Sequence, residues 1–279
     1  MPRTASLIEV SPAGLPPVTV AYERRGSGEP LVLLHGIGHH LQAWDPVAGL
    51  LAGERDVIAV DLPGFGQSPA QHSSVPSDLP TAVAALAAFF AALGLGRPHV
   101  AGNSLGGLIA LHLGRERLVR SVTALSPAGF WTEPERRYAF TVLGAMRRGA
   151  RLLPPPTVER MSRSAAGRAA LTSAIYARPG LRTPEAVVAE TRALREAAGF
   201  EATLAAGRAG VVFGHDIPDV PVTIAWGSQD RVLLRRQGIR AKHTIPGARL
   251  IRLPGCGHVP MNDEPALVAR VILDGSRQR

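Results

Sequence analysis

Apolar positions along the first third of the chain fall into two alternating kinds of run. Residues 18–23 alternate apolar and polar like a half-buried strand, whereas 31–34 and 57–60 are apolar at every position, the pattern of a parallel strand covered on both faces. Residues 44–51 and 79–93 carry apolar side chains at helical spacing. The same order recurs with a strand predicted at 99–101, a helix ending near Arg117 and a strand at 121–125. Strand, turn, helix, strand requires right-handed crossovers, and so a parallel sheet with helices on both faces.

After residue 130 the pattern changes. Residues 133–151, 158–177 and 184–198 have helical spacing with no strand-like run between them, and Pro154-Pro155-Pro156 separates the first from the second. Strand patterning returns at 222–225 and 249–253, with a helix predicted over 232–243 and a closing helix from about 264 to 273. The fold class expected is α/β with a mostly parallel central sheet. Its core lies in residues 1–130 and 215–279, and an all-helical insertion occupies 131–214.

Composition narrows what such a chain does. At 279 residues and 46% hydrophobic it can bury one large core, and its 30 glycines and 24 prolines are spread through the sequence, which excludes a disordered, collagen-like or coiled-coil chain. A formal charge of +9 raises nucleic acid as a partner. Of the 31 basic residues, however, Lys242 alone is lysine, and the 30 arginines are scattered pairs without a long basic run, so no nucleic-acid partner is expected. With Cys256 as its one cysteine the chain forms no internal disulfide, and no secretory signal pattern precedes Ser11, so a cytoplasmic setting is expected. The longest apolar stretch, 81–95, falls short of the roughly twenty residues that span a bilayer, and no stable membrane insertion is expected.

Candidate chemistry sits at the strand ends. Gly102-Asn103-Ser104-Leu105-Gly106 has the G-x-S-x-G form of a nucleophile elbow between a predicted strand and a predicted helix. A serine there must occupy a sharp, strained turn, and the helix opening at Leu105 directs its N–H groups and positive dipole end at the site. A serine hydroxyl is a weak nucleophile and needs a base held by an acid. Asp230 and His258 each follow a predicted strand on the same carboxyl edge of the sheet, which favours Asp230 over Asp216, Asp219 or Asp263 as that acid.

The order Ser, Asp, His, together with His35-Gly36, Asp61-Leu62-Pro63-Gly64-Phe65-Gly66, Gly227-Ser228-Gln229-Asp230 and Gly257-His258, resembles the α/β-hydrolase fold superfamily, as a serine hydrolase with a helical cap. The resemblance implies Ser104 as nucleophile, His258 as general base and acid, Asp230 as its orienter, and the backbone N–H groups of Ile37 and Leu105 as oxyanion hole. It implies no cofactor and no metal. His35 is expected to hold the oxyanion loop by hydrogen bonds, and Asp61 to fix its own turn. Candidate substrate contacts are His35, Gly36, Asn103, Phe130, Trp131, Phe140 and Met146, with Phe200 beside them, and suit a small apolar or acyl substrate. Arg136, Arg137, Arg147, Arg148 and Arg151 are expected to form a solvated basic face of the insertion.

The activity implied is hydrolysis of a carboxylic ester through an acyl-enzyme. Alternatives on the same scaffold are a carbon–carbon bond hydrolase of ring-fission products, a cofactor-free haloperoxidase or lyase, and a non-catalytic ligand-binding protein. The loop Ile37-Gly38-His39-His40 departs from the Ser-Gly-Pro-Gly usual in the carbon–carbon hydrolases.

Overall fold

The computed structural model describes residues 5–72 and 74–277. Residues 1–4, 278–279 and Ser73, all within the two expected core segments, lie outside the described residues. The strands are β1 (Ser6–Val10), β2 (Val18–Arg25), β3 (Pro30–Leu34), β4 (Asp56–Asp61), β5 (His99–Asn103), β6 (Ser121–Leu125), β7 (Val222–Gly227) and β8 (Arg249–Leu253). They form one sheet in the order β1-β2-β4-β3-β5-β6-β7-β8. From β4 to β8 every pairing is parallel, while β2 runs antiparallel to β4 and β1 antiparallel to β2. β1 escapes the sequence pattern because it is an edge strand with mostly exposed side chains, ordered by its ladder to β2 from Ser6↔Tyr22 to Val10↔Val18.

The helices are α1 (Asp45–Ala52), α2 (Leu79–Ala92), α3 (Leu105–Arg115), α4 (Glu133–Leu152), α5 (Pro155–Ser162), α6 (Ala165–Thr172), α7 (Pro184–Glu196), α8 (Phe200–Arg208), α9 (Arg236–Thr244), α10 (Pro260–Asp263) and α11 (Pro265–Gly275). Strand side chains alternate between two buried layers, which explains why the central strands are apolar throughout. Val32, Leu34, Val60 and Ile224 join Phe89 of α2, Leu111 of α3 and Ala241 of α9. Leu31, Leu33, Val57 and Leu125 join Leu51 of α1 and Ile272 of α11 on the other face.

Helices α4 to α8 stand between β6 and β7, where the helical insertion is expected, with two changes of detail. The stretch predicted as one helix over 158–177 is two, because Ser164 caps α6 by accepting the Gly167 N–H at 3.0 Å. α8, short, rich in Ala and holding Gly207, lies beyond the three stretches expected to be helical. α9 begins at Arg236 instead of Val232, and the Val232 and Leu233 N–H groups before it donate to the Asp230 carboxylate.

The basic face of α4 also differs from expectation. Arg147 is buried, lies over the Phe200 ring and donates to Ala197 O at 2.8 Å and to Glu201 Oε1 at 3.1 Å, so it ties α4 to α8 instead of facing solvent. Arg136 and Arg137 pair with Glu133, and Arg151 with Glu201. Buried Glu135 closes the α4 capping box on Thr132 and pairs with Arg236 and Arg240, which fastens α4 to the core helix α9. No helix among the described residues is long and apolar enough to cross a membrane.

Candidate active site

β5 ends at Asn103, α3 begins at Leu105, and Ser104 makes the turn between them with φ 55° and ψ −113°. That left-handed conformation strains a residue with a Cβ, and neighbouring bonds hold it: Ser104 N–H donates to Leu125 O at 3.0 Å, and Ser104 O accepts from Leu108 and Ala128. The flanking glycines are required by contact. A Cβ at Gly102 would come within 2.7 Å of Gly107 N, and one at Gly106 within 2.7 Å of His35 O and closer still to Leu34 O. α3 can therefore approach the ends of β3 and β5 only over bare backbone.

Asp230 follows β7. One of its carboxylate oxygens accepts the Val232 and Leu233 N–H groups at 2.9 and 2.8 Å, and the other lies 2.9 Å from His258 Nδ1. His258 follows β8 in a loop pinned from several sides. Asp263 Oδ2 accepts the Gly257 N–H at 2.8 Å, Val259 N–H donates to Ile175 O at 3.0 Å, and Asn103 Nδ2 donates to His258 O at 2.9 Å. Asn103 thus links the serine turn directly to the histidine loop. Of the competing carboxylates, Asp219 pairs with Arg117, Asp216 accepts the Ile217 N–H, and Asp263 binds the backbone of Ala177, Arg178 and Gly257, so none of them meets His258 Nδ1. The bracing role of Asp263 had no sequence signal, since nothing local marks it as reaching an inserted segment some 85 positions away.

Among the described residues neither Ile37 N–H nor Leu105 N–H has a hydrogen-bond acceptor. Gly36, just before Ile37, approaches so closely that a Cβ there would sit 3.2 Å from Ser104 Cβ. His35 is wholly buried behind this loop: Nε2 accepts the Leu62 N–H at 3.0 Å, which leaves Nδ1–H to donate to Gly36 O at 2.8 Å. Burial drives its pKa down to about 3, so the ring is neutral. Asp61 accepts the Leu41 N–H at 2.6 Å and the Gln67 N–H at 2.8 Å, and burial raises its carboxyl to about 6.

Two cavities meet at Ser104, Ile37 and Leu143. The first, about 350 Å³, is mostly apolar, with Leu62, Phe65, Trp131, Phe140, Leu204 and Val232 on its walls. The second, about 330 Å³, contains His258, Asn103, Gly36, His39, Met146 and Glu190. Of the expected substrate contacts, Trp131 and Phe140 line the first cavity, and Gly36, Asn103 and Met146 the second. His35 and Phe130 line neither: His35 lies under the loop, and Phe130 packs on Phe213 with ring centroids 5.7 Å apart. Phe200 is likewise packed away, beneath the Arg147 guanidinium. Leu143 and Glu190 lie on helices α4 and α7, and their rotation toward the cavities depends on packing that spacing alone does not reveal.

A model of the alpha/beta hydrolase family matches residues 31–271. An uncharacterized protein of Mycobacterium tuberculosis is 30% identical over 266 residues, covering 88% of this chain and 74% of that protein. A thermophilic esterase from Thermogutta terrifontis shares the fold with a TM-score of 0.77 over 98% of both chains at 21% identity. A membrane phospholipase A, described as a bacterial virulence factor, gives 0.75 over 99% of this chain and 88% of that one at 27% identity. With a serine elbow on a mostly parallel eight-stranded sheet and a family match across most of its length, the chain belongs to the alpha/beta hydrolase family.

Proposed function

We propose that the protein is a serine hydrolase of carboxylic esters with apolar acyl groups, with the helical insertion as its cap. The observation that carries this reading is the 2.9 Å Asp230–His258 hydrogen bond on a cavity that also contains Ser104 at its strained elbow. His258 takes the Ser104 proton as Oγ attacks the ester carbonyl, and Asp230 stabilises the resulting imidazolium. The developing oxyanion is received by the N–H groups of Ile37 and Leu105, both free of other acceptors among the described residues, with the α3 dipole adding to the stabilisation. Collapse of the tetrahedral intermediate breaks the bond to the leaving alkoxide, which takes the proton from His258. Water, deprotonated by the same histidine, then hydrolyses the acyl-enzyme. The apolar first cavity suits the acyl chain.

The test is a series of p-nitrophenyl esters of graded acyl length, run beside one ring-fission dienone and a fluorophosphonate probe. Ester turnover with labelling of Ser104 is expected, and Ser104→Ala should lower kcat by about 10⁴-fold or more. Turnover of the dienone alone would assign a carbon–carbon hydrolase instead. An unlabelled Ser104 with no turnover would leave a ligand-binding protein.

A further inference from the structure

Asp263 takes no part in the proposed proton transfers, yet its carboxylate is almost wholly buried beside the histidine loop. Oδ2 accepts the Gly257 N–H at 2.8 Å and the Ala177 N–H at 3.0 Å, and Oδ1 accepts the Arg178 N–H at 2.8 Å. A carboxylate bonded to backbone N–H groups makes charge-assisted hydrogen bonds, which are stronger than neutral ones. One side chain of the core thus joins the loop of His258 to the inserted segment.

The rest of that loop meets the same few residues. Val259 N–H donates to Ile175 O at 3.0 Å, so both chain neighbours of His258 are bonded to residues 175–178, Val259 directly and Gly257 through Asp263. Gly257 also approaches so closely that a Cβ there would sit 2.7 Å from Ala177 N and from Ile175 O. The anchoring segment is itself fixed. Tyr176 is almost wholly buried and its hydroxyl donates to Glu190 of α7 at 2.9 Å, Arg178 pairs with Glu264 at 2.6 Å, and Ser173 O accepts from Arg231 at 2.9 Å. The bonds from the core, Asn103 Nδ2 to His258 O and Asp230 to Nδ1, act on His258 itself, whereas the N–H groups on either side of it are held to the insertion.

Proton transfer from Ser104 tolerates little displacement of its base, since misplacing a catalytic group by about 1 Å can cost on the order of 10²-fold in rate. Resting on the reading of His258 as general base, we propose that Asp263 is a positioning residue for the hydrolysis, seating the His258 loop on residues 175–178. The insertion then holds the base in line with Ser104 as well as walling the cavities, and the active site is complete only while the insertion is docked.

The test is a double-mutant cycle on p-nitrophenyl hexanoate turnover, with a thermal melt of every variant. Asp263→Ala removes all three acceptor contacts and should lower kcat by about 10²-fold, with KM within about threefold of wild type. Asp263→Asn should recover at least about tenfold of that loss, because its amide oxygen can still take the Gly257 and Ala177 N–H groups. In a His258→Ala background no imidazole remains to be aligned, and the factor for Asp263→Ala should shrink to less than about threefold. A merely structural carboxylate would cost the same factor in both backgrounds. That result, a folded Asp263→Ala enzyme within about threefold of wild-type kcat, an asparagine as slow as alanine, or an effect confined to KM would each overturn the proposal. Should Asp263→Ala fail to fold, Gly257→Ala, whose Cβ pushes the loop off the same backbone, runs through the same cycle with the same attenuation expected and the same equality overturning it. Failure of the hydrolase reading shows separately, as wild-type turnover by the His258→Ala protein with Asp263 intact.

Discussion

Replacing Asp230 with asparagine changes one atom and one charge, and the surrounding bonds determine the effect on the histidine. In the native side chain Oδ1 accepts two backbone N–H groups, from Val232 at 2.9 Å and Leu233 at 2.8 Å, while Oδ2 faces His258 Nδ1 at 2.9 Å. An asparagine must keep its amide oxygen toward the two N–H groups. The flipped amide would set NH₂ against both donors and leave them buried and unsatisfied, at about 1–3 kcal/mol each. Nδ2 then faces His258, where it can only donate, so the imidazole proton moves from Nδ1 to Nε2. The nitrogen required to take the Ser104 proton already carries one. The expected loss in kcat is about 10⁴-fold, or about 5.5 kcal/mol at 1.36 kcal/mol per decade, with little change in stability because shape and backbone bonds are retained. The assay is kcat on p-nitrophenyl hexanoate near pH 7.5, with a thermal melt of both proteins. A folded Asp230→Asn enzyme within tenfold of wild type would refute the assignment of Asp230 as orienter.

The packing and the buried titratable groups set three further outcomes. Gly106→Ala should abolish ester turnover and lower the melting temperature, because its Cβ meets the Leu34 and His35 carbonyls, whereas Gly144→Ala in α4, with nothing within 4 Å, should leave the protein as stable or up to about 1 kcal/mol more so. A stable, active Gly106→Ala protein would show that the elbow does not need that approach. Acid should destabilise the fold: burial holds His35 at about 3 and His40 at about 4, so their neutral forms stabilise the protein fully above the unfolded pKa near 6.5 and that stability is lost as pH falls. Between pH 7 and pH 5 each loses about 2 kcal/mol, and Asp61, raised to about 6 by burial, returns about 1; His39, whose pKa burial holds well below its ordinary value, adds loss in the same direction, so urea unfolding should report a net loss of at least roughly 3 kcal/mol, and equal stability at the two pH values would contradict it. Cys256 is buried and its thiol is pushed up to about 12 by burial, so maleimide at pH 7.5 should label it only after unfolding, as read by mass spectrometry.

The features legible in the chain alone are the local ones. Central strands such as β3 and β4 are buried on both faces and leave an unbroken apolar run, and each ends at a turn whose glycines and polar residues mark the sheet's carboxyl edge. That is enough to order the strands of the core and to single out Ser104, Asp230 and His258 at strand ends. The exposed edge strand β1 has no such run, and its order comes from its ladder to β2, which runs from Ser6↔Tyr22 to Val10↔Val18. Tertiary structure alone decided the rest. The Arg147 guanidinium turned inward because Glu201 and the carbonyl of Ala197 meet it there. Asp263 reached across to brace the His258 loop, and Tyr176 met both Glu190 and His39, two residues from separate segments that line the second cavity. Burial and backbone turns are governed by neighbours in sequence and so leave a pattern in it. The rotation of an inserted helix, and the partners its polar groups find, depend on contacts between distant segments that no periodicity records.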